Sequence, residues 1–219
     1  MDFTEPISYP LKDLKKLIIG GLLFFPGLFL LLIPAIIALG YTIKVAGDTV
    51  RGKNQLPEFD EWEYFLIKGI GYIAINFLYI CVMFLLSVPA MILYFTVVEE
   101  STLFFVLGII LGIMIFIAVI ALMFIMLIAL IRYGEKEKVG AAFEFKENLR
   151  NLHANLGSYI IGYIVLMLLS LLLGIFQFIL QITVVGIFLI GIIYFYYYLV
   201  MMRMFAQIYK ESNEKLGKN

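Results

Sequence analysis

Cysteine, histidine and tryptophan each occur once in the 219 residues, as Cys81, His153 and Trp62. A lone cysteine excludes an intrachain disulfide, and inside an apolar run it reads as a small buried hydrophobe. A lone histidine excludes a His-Glu-x-x-His zinc pair or a multi-histidine metal site. Charge is also scarce. Only 15% of residues are charged, against roughly 25% in soluble domains. The 16 basic and 16 acidic side chains cancel, so no charge excess attracts nucleic acid. A phosphate-cradling glycine loop ending in Lys-Ser/Thr is missing, and so is a lipidation motif.

Apolar residues fill the space that charge vacates. They make up 63% of the chain, and the mean hydropathy is +1.04. No single water-soluble core hides that much, and runs of ~18 or more apolar residues indicate membrane spans. The chain is therefore predicted to be an all-α integral membrane protein. Lys12, Lys15 and Lys16 precede a first run that continues too far for a signal peptide's ~7–15-residue apolar region. A retained helix is expected there.

Five apolar tracts stand out: Leu17 to Val45, Phe65 to Val98, Thr102 to Ile131, Ser158 to Leu180 and Ile182 to Phe205. Basic residues cluster before the first tract, in the linkers at 51–64 and 132–157, and after the last. None falls near Glu99-Glu100-Ser101 or Gln181-Ile182-Thr183. The positive-inside rule then predicts cytoplasmic termini and linkers in the plasma membrane. The parity closes only if the first tract folds back, as a tight hairpin turning near Pro34 or as a re-entrant loop at Pro26-Gly27. The expected architecture is one polytopic domain over 1–219. It has about six helices as three hairpins (about 17–50, 65–131 and 158–209), the first of them short.

The two linkers resemble each other, Glu58-Phe59-Asp60-Glu61 aligning with Glu144-Phe145-Lys146-Glu147. Each is predicted to form an interfacial amphipathic helix. Val139, Ala142, Phe145, Leu149 and Leu152 make the apolar stripe of the second. Phe59, Trp62 and Leu66 make that of the first, with Pro57 at a first helical position. Pro57, Glu58, Phe59, Asp60, Trp62, Glu144 and Phe145 thus form a candidate interfacial motif, with aromatics toward headgroups and acids toward water.

Tyr9-Pro10-Leu11-Lys12-Asp13, Lys15-Lys16-Leu17-Ile18-Ile19-Gly20-Gly21, Gly40-Tyr41, Arg51-Gly52 and Leu56-Pro57-Glu58-Phe59-Asp60-Glu61-Trp62 occur in that order. Gly140-Ala141-Ala142-Phe143 and Asn155-Leu156-Gly157-Ser158-Tyr159 follow. Together they resemble the prokaryotic, largely archaeal, polytopic membrane family known as domain of unknown function 4013. The resemblance implies a single multi-pass membrane domain and supplies no catalytic residues.

Chemistry inside the spans is sparse. Ser87 and Ser170 have no lysine or histidine at span depth to serve as base, and every acid falls in a turn, a linker or a terminus. Catalysis is not expected, and no cofactor or metal ligands are assigned. An enzyme acting on lipids from the cytoplasmic linkers is the third reading. The leading expectation is a membrane-organising role, with the lipid bilayer and either a second copy or a protein partner at the linkers as company. The runner-up is a transporter of lipids or small molecules, with its path between the hairpins. Asn76 discriminates: a polar cavity beside it favours transport, a closed bundle favours scaffolding. Gly108, Gly112, Ser170 and Gly174 are predicted helix-packing positions, with Asn76 as a hydrogen-bonding contact between helices.

Overall fold

The computed structural model of the chain describes residues 2–29, 32–97, 102–181 and 184–217; helices and short connections make them up, with no strand among them. A short α1 (Glu5–Ser8) and a 3₁₀ turn (Tyr9–Lys12) precede α2 (Leu14–Phe29) and α3 (Leu32–Val50). Next come α4 (Trp62–Val97) and α5 (Thr102–Lys136). A 3₁₀ turn (Val139–Phe143) leads into α6 (Phe145–Ala154), α7 (Leu156–Leu180) and α8 (Val184–Lys215). Five of these, α3, α4, α5, α7 and α8, are long and apolar enough to cross a bilayer. At 16 residues, α2 reaches only about 24 Å, short of a ~30 Å hydrocarbon core.

Solvent choice explains the surface. Phe84 is 62% exposed and Phe178 73% exposed, in the company of many leucines and isoleucines on α4, α5 and α7. Water would not tolerate so wide an apolar surface, whereas lipid does. The five long helices sort accordingly. The least apolar, α3 and α8, are the most buried, and α7 is the least buried.

The first apolar tract is two helices rather than one kinked span, and α2 runs unbroken through Pro26 and Gly27. Pro34 sits in the first turn of α3, where a missing backbone donor costs nothing. Lys16, at the start of α2, bonds to residues just after α3. The two helices are therefore antiparallel neighbours.

Glycines set the crossings. A Cβ at Gly40 would overlap the Phe65 carbonyl, and one at Gly69 would overlap that of Ile36, so α3 and α4 touch backbone to backbone. Gly47 and Gly134 do the same for α3 and α5. Small residues permit such approach in bilayers, where packing rather than water drives helix association. The predicted positions differ: Gly108, Gly112 and Gly174 have no described atom within 4 Å of where a Cβ would sit, and the Ser170 hydroxyl donates to Met167 O of its own helix. Those residues lie on outward stretches of α5 and α7, away from the crossings. Cys81 is half-buried on α4. The turns expected at 99–101 and 182–183 lie outside the described residues.

Candidate functional site

Two polar regions lie within this apolar bundle. One caps the end where the N-terminal segment, both linkers and the last turns of α8 converge. The other lines a cavity between α4, α5, α7 and α8.

The cap is built on linker carbonyls. Residues 53–57 lie outside any helix, so their carbonyls have no helical partner and take donors from other elements. Arg203 Nη1 donates to Lys53 O (2.8 Å), Tyr9 OH to Gln55 O (3.0 Å), Lys16 Nζ to Leu56 O (2.9 Å) and Tyr41 OH to Pro57 O (2.8 Å). Phe59 stacks on Tyr41 with ring centroids 4.2 Å apart and planes 8° apart. This corrects the expected helix: Pro57 is buried outside any helix, Phe59 turns inward instead of toward headgroups, and α4 starts only at Trp62. Glu58 pairs with Lys16 at 2.6 Å and Glu61 with Lys44, while Asp60 and Trp62 remain exposed.

Arg203, only 3% exposed, is the hub. Its guanidinium donates to both Glu5 carboxylate oxygens (3.2 and 3.1 Å), to Thr49 Oγ1 (3.0 Å) and to Asn54 Oδ1 (2.8 Å). It also lies over the Tyr9 ring, 4.3 Å from the centroid. Burial pushes the Glu5 carboxyl up, but Arg203 and Lys12 outweigh it and hold the group below its ordinary value. Burial raises the Tyr9 phenol to about 12, so it remains a donor at neutral pH. Gly52, at φ +84°, closes α3 after Val50. Beside it Arg51 reaches the Gly134 and Glu135 carbonyls at 3.2 and 3.3 Å, capping α5.

The second linker is fastened by the same chemistry. Tyr79 OH donates to Ala142 O at 2.9 Å, Phe143 stacks beside the Tyr79 ring, and Arg132 pairs with Glu144. Here the predicted apolar stripe divides: Phe145 and Leu149 are exposed, whereas Ala142 and Leu152 are buried, as are Asn148 and Asn151. The buried amides have partners: Asn148 Nδ2 donates to Ala142 O (2.9 Å), Asn151 Nδ2 to Asn213 Oδ1 (2.9 Å), and Tyr159 OH to Asn151 Oδ1 (2.6 Å). His153 is exposed on α6. Among the described residues, no three His, Cys, Asp or Glu side chains are grouped to hold a metal ion.

The cavity encloses about 340 Å³. Asn76 and Tyr72 of α4, Tyr163 and Ser170 of α7, and Tyr197 and Tyr198 of α8 supply its polar atoms, with four methionines and three leucines among the rest. No acidic or basic side chain lines it. Asn76 Nδ2 donates to Tyr72 O (2.9 Å), within α4, so it does not bridge to another helix through that bond. An asparagine amide has two donor hydrogens and an acceptor oxygen, and Asn76 is among the residues that line the cavity. The sequence-predicted residues thus fall into three groups. Asn76 and Ser170 meet at the cavity; Pro57, Glu58, Phe59 and Glu144 belong to the cap; Gly108, Gly112 and Gly174 join neither.

Arg203, Glu5, Tyr72 and Tyr163 were not singled out from the sequence, and Tyr197 and Tyr198 read there as interface anchors rather than as cavity residues. Arg203 is the one charged residue between Val184 and Tyr209 of α8, and that isolation was the available signal. No curated protein and no solved structure matches the chain. The sequence profile of the family described as "Protein of unknown function (DUF4013)" matches residues 27–185, most of the chain and all of both linkers, and the chain belongs to that family.

Proposed function

We propose that the chain is a six-span, non-catalytic plasma-membrane protein that holds an uncharged small molecule between its second and third hairpins, as a carrier or transporter does. The cavity beside Asn76 is the observation that carries this reading. A closed bundle would have favoured scaffolding, and a volume of 340 Å³ falls within the usual range of ligand pockets. Because the walls hold hydrogen-bonding groups but no carboxylate, amine, guanidinium or imidazole, and a phenol with its ordinary pKa of about 10 stays neutral at physiological pH, they suit recognition of a neutral solute better than acid–base catalysis.

The topology rests on charge. The capped end gathers the lysines and arginines of both linkers and both termini, so it faces the cytoplasm. In this arrangement α2 crosses as the short arm of the first hairpin, with Lys15 and Lys16 at the headgroups. Cysteines introduced in place of Lys53 and Ser101 are expected to react from opposite sides of oriented vesicles. Reaction from one side would sink the scheme.

Photolabelling in nanodiscs with a short diazirine-bearing alcohol tests the cavity. Adducts are expected on Met126, Met201 and Tyr72, reduced by Asn76→Leu. Labelling no greater there than on lipid-facing Phe84 would refute the reading. A second reading, linkers that recruit a protein partner or a second copy, is favoured by the exposed Trp62, Phe145 and Leu149.

A further inference from the structure

Beside the cavity runs an apolar groove of about 400 Å³, walled by Ile117, Ala121 and Phe124 of α5 and by Leu156, Ile160 and Ile164 of α7. It opens to the bilayer, since Ile117, Ile160 and Ile164 are 44–60% exposed. Two residues, Tyr163 and Met167, line both volumes. They are therefore the partition between them. Along this side α7 leans on α8, and its ring contact with α5 is Tyr163 against Phe124, centroids 5.0 Å apart. A methionine has three rotatable bonds and a soft thioether, so Met167 can swing without disturbing the backbone.

We infer that groove and cavity form one site for a single-chain amphiphile with an uncharged, hydrogen-bonding head, a long-chain alcohol in the simplest case. The inference rests on the proposed function and names its ligand class and route. The head enters sideways past Met167 and bonds to Asn76 and the tyrosine hydroxyls. The chain stays in the groove, which extends about 16 Å along α7 from Leu156 to Met167. Two features select this ligand. The cavity supplies polar atoms at one end of the site, and the groove wall supplies none. A charged head is rejected, because the cavity has no counter-charge and an unpaired buried ion is costly. A two-chain lipid is rejected because a single groove reaches the partition.

The test uses the full chain in nanodiscs and three diazirine probes: the short alcohol, a long-chain alcohol and a long-chain primary amine. The long-chain alcohol carries its diazirine beside the head or in mid-chain. The head-labelled form is expected to modify Met126 or Met201, and the mid-chain form Ile160 or Ile164. Ala121→Trp, which fills the groove from a lipid-facing helix, is expected to cut cavity labelling by the long alcohol ~10-fold and leave the short alcohol unaffected. The amine is expected to label the cavity weaker by about a hundredfold. Cavity labelling by the short alcohol alone overturns the shared site and leaves the cavity reading standing. Failure of both alcohols overturns both. Groove labelling without cavity labelling marks ordinary lipid contact and overturns the inference, as does an amine that labels as well as the alcohol. If Ala121→Trp does not fold, Ile164→Trp plugs the opposite wall and carries the same expectation.

Discussion

Gly40→Ala is the sharpest test of the fold, because the new methyl meets backbone. Its Cβ would overlap the Phe65 carbonyl and press on the Gly69 amide, atoms that no rotamer change can move aside. Overpacking typically costs ~1–3 kcal/mol, and a rigid obstacle puts this site at the upper end, about 3 kcal/mol. Alanine returns up to ~1 kcal/mol of helix propensity. The net expectation is a loss of about 2 kcal/mol, or roughly 4–8 °C in melting temperature for a chain of this length. Gly108→Ala is the control, since nothing described lies within 4 Å of its Cβ position; it should leave stability unchanged or raise it slightly. Trp62, the only tryptophan, sits at the start of α4 with its ring centroid 5.8 Å from that of Phe59, so its emission reports on this region without added dyes. Thermal melts in one detergent give the comparison. Equal stability of Gly40→Ala and wild type, or destabilisation by Gly108→Ala alone, would refute the glycine-crossing account.

The cap yields further expectations. Tyr41→Phe removes the donor to the buried Pro57 carbonyl, a loss of about 1–2 kcal/mol, and trypsin should then cut after Lys53 ~10-fold faster if the linker opens locally; unchanged cleavage contradicts the fastening role. Arg203→Met strips Glu5, Thr49, Asn54 and the Lys53 carbonyl of their shared donor and should cost about 3 kcal/mol. A double-mutant cycle with Glu5→Gln should show coupling of about 1–2 kcal/mol, and additivity would mean that the pair is idle. Glu5 also sets a pH dependence. Its folded pKa is lowered from 4.5, so its contribution is complete above that ordinary value and is lost as pH falls through the lower folded one. Hydrogen exchange of residues 2–12, normalised for intrinsic rate, should be flat from pH 5 to 8 and rise below about 4.5. In Glu5→Gln the acid-side rise should vanish, and its persistence would assign the transition to another group.

The membrane class and the helical character were legible in composition, because a chain this apolar has few other solutions. The fold-back of the first tract was legible through charge placement. The glycine crossings were not, although Gly40 and Gly47 stand seven residues apart on one face of α3. Spacing within one helix says nothing about which helix approaches, and Gly108-x-x-x-Gly112 has the stronger pattern yet meets open space. The tertiary partners of the linkers were hidden for a related reason. Periodicity shows which residues share a helix face, not where that face points, and α6 buries asparagines because Tyr159, Asn213 and a linker carbonyl wait for them. In the first linker a helical pattern lost to tertiary donors. Tyr9, Lys16 and Tyr41 come from three different elements, and no local window contains them.

Those donors also account for the position of the cavity. At the capped end, carbonyls, amides and ion pairs tie all the helices to one another, and directional bonds leave little freedom to shear. Away from it side-chain packing dominates among the described residues, and α7 contacts chiefly α8, to which Gln177 Nε2 donates at Tyr194 OH (3.3 Å). A lateral opening between α5 and α7 can therefore widen without breaking a hydrogen bond of the cap. On the outer halves of α4 and α5, Phe84 and Phe116 are more than 60% exposed, so their side chains add little packing to resist it. The asymmetry predicts graded protection in hydrogen exchange, slowest at α3 and the capped ends of α5 and α8, fastest toward the far end of α7. Uniform protection along α7 would mean that the groove is a fixed crevice, and that entry past Met167 requires no opening at all.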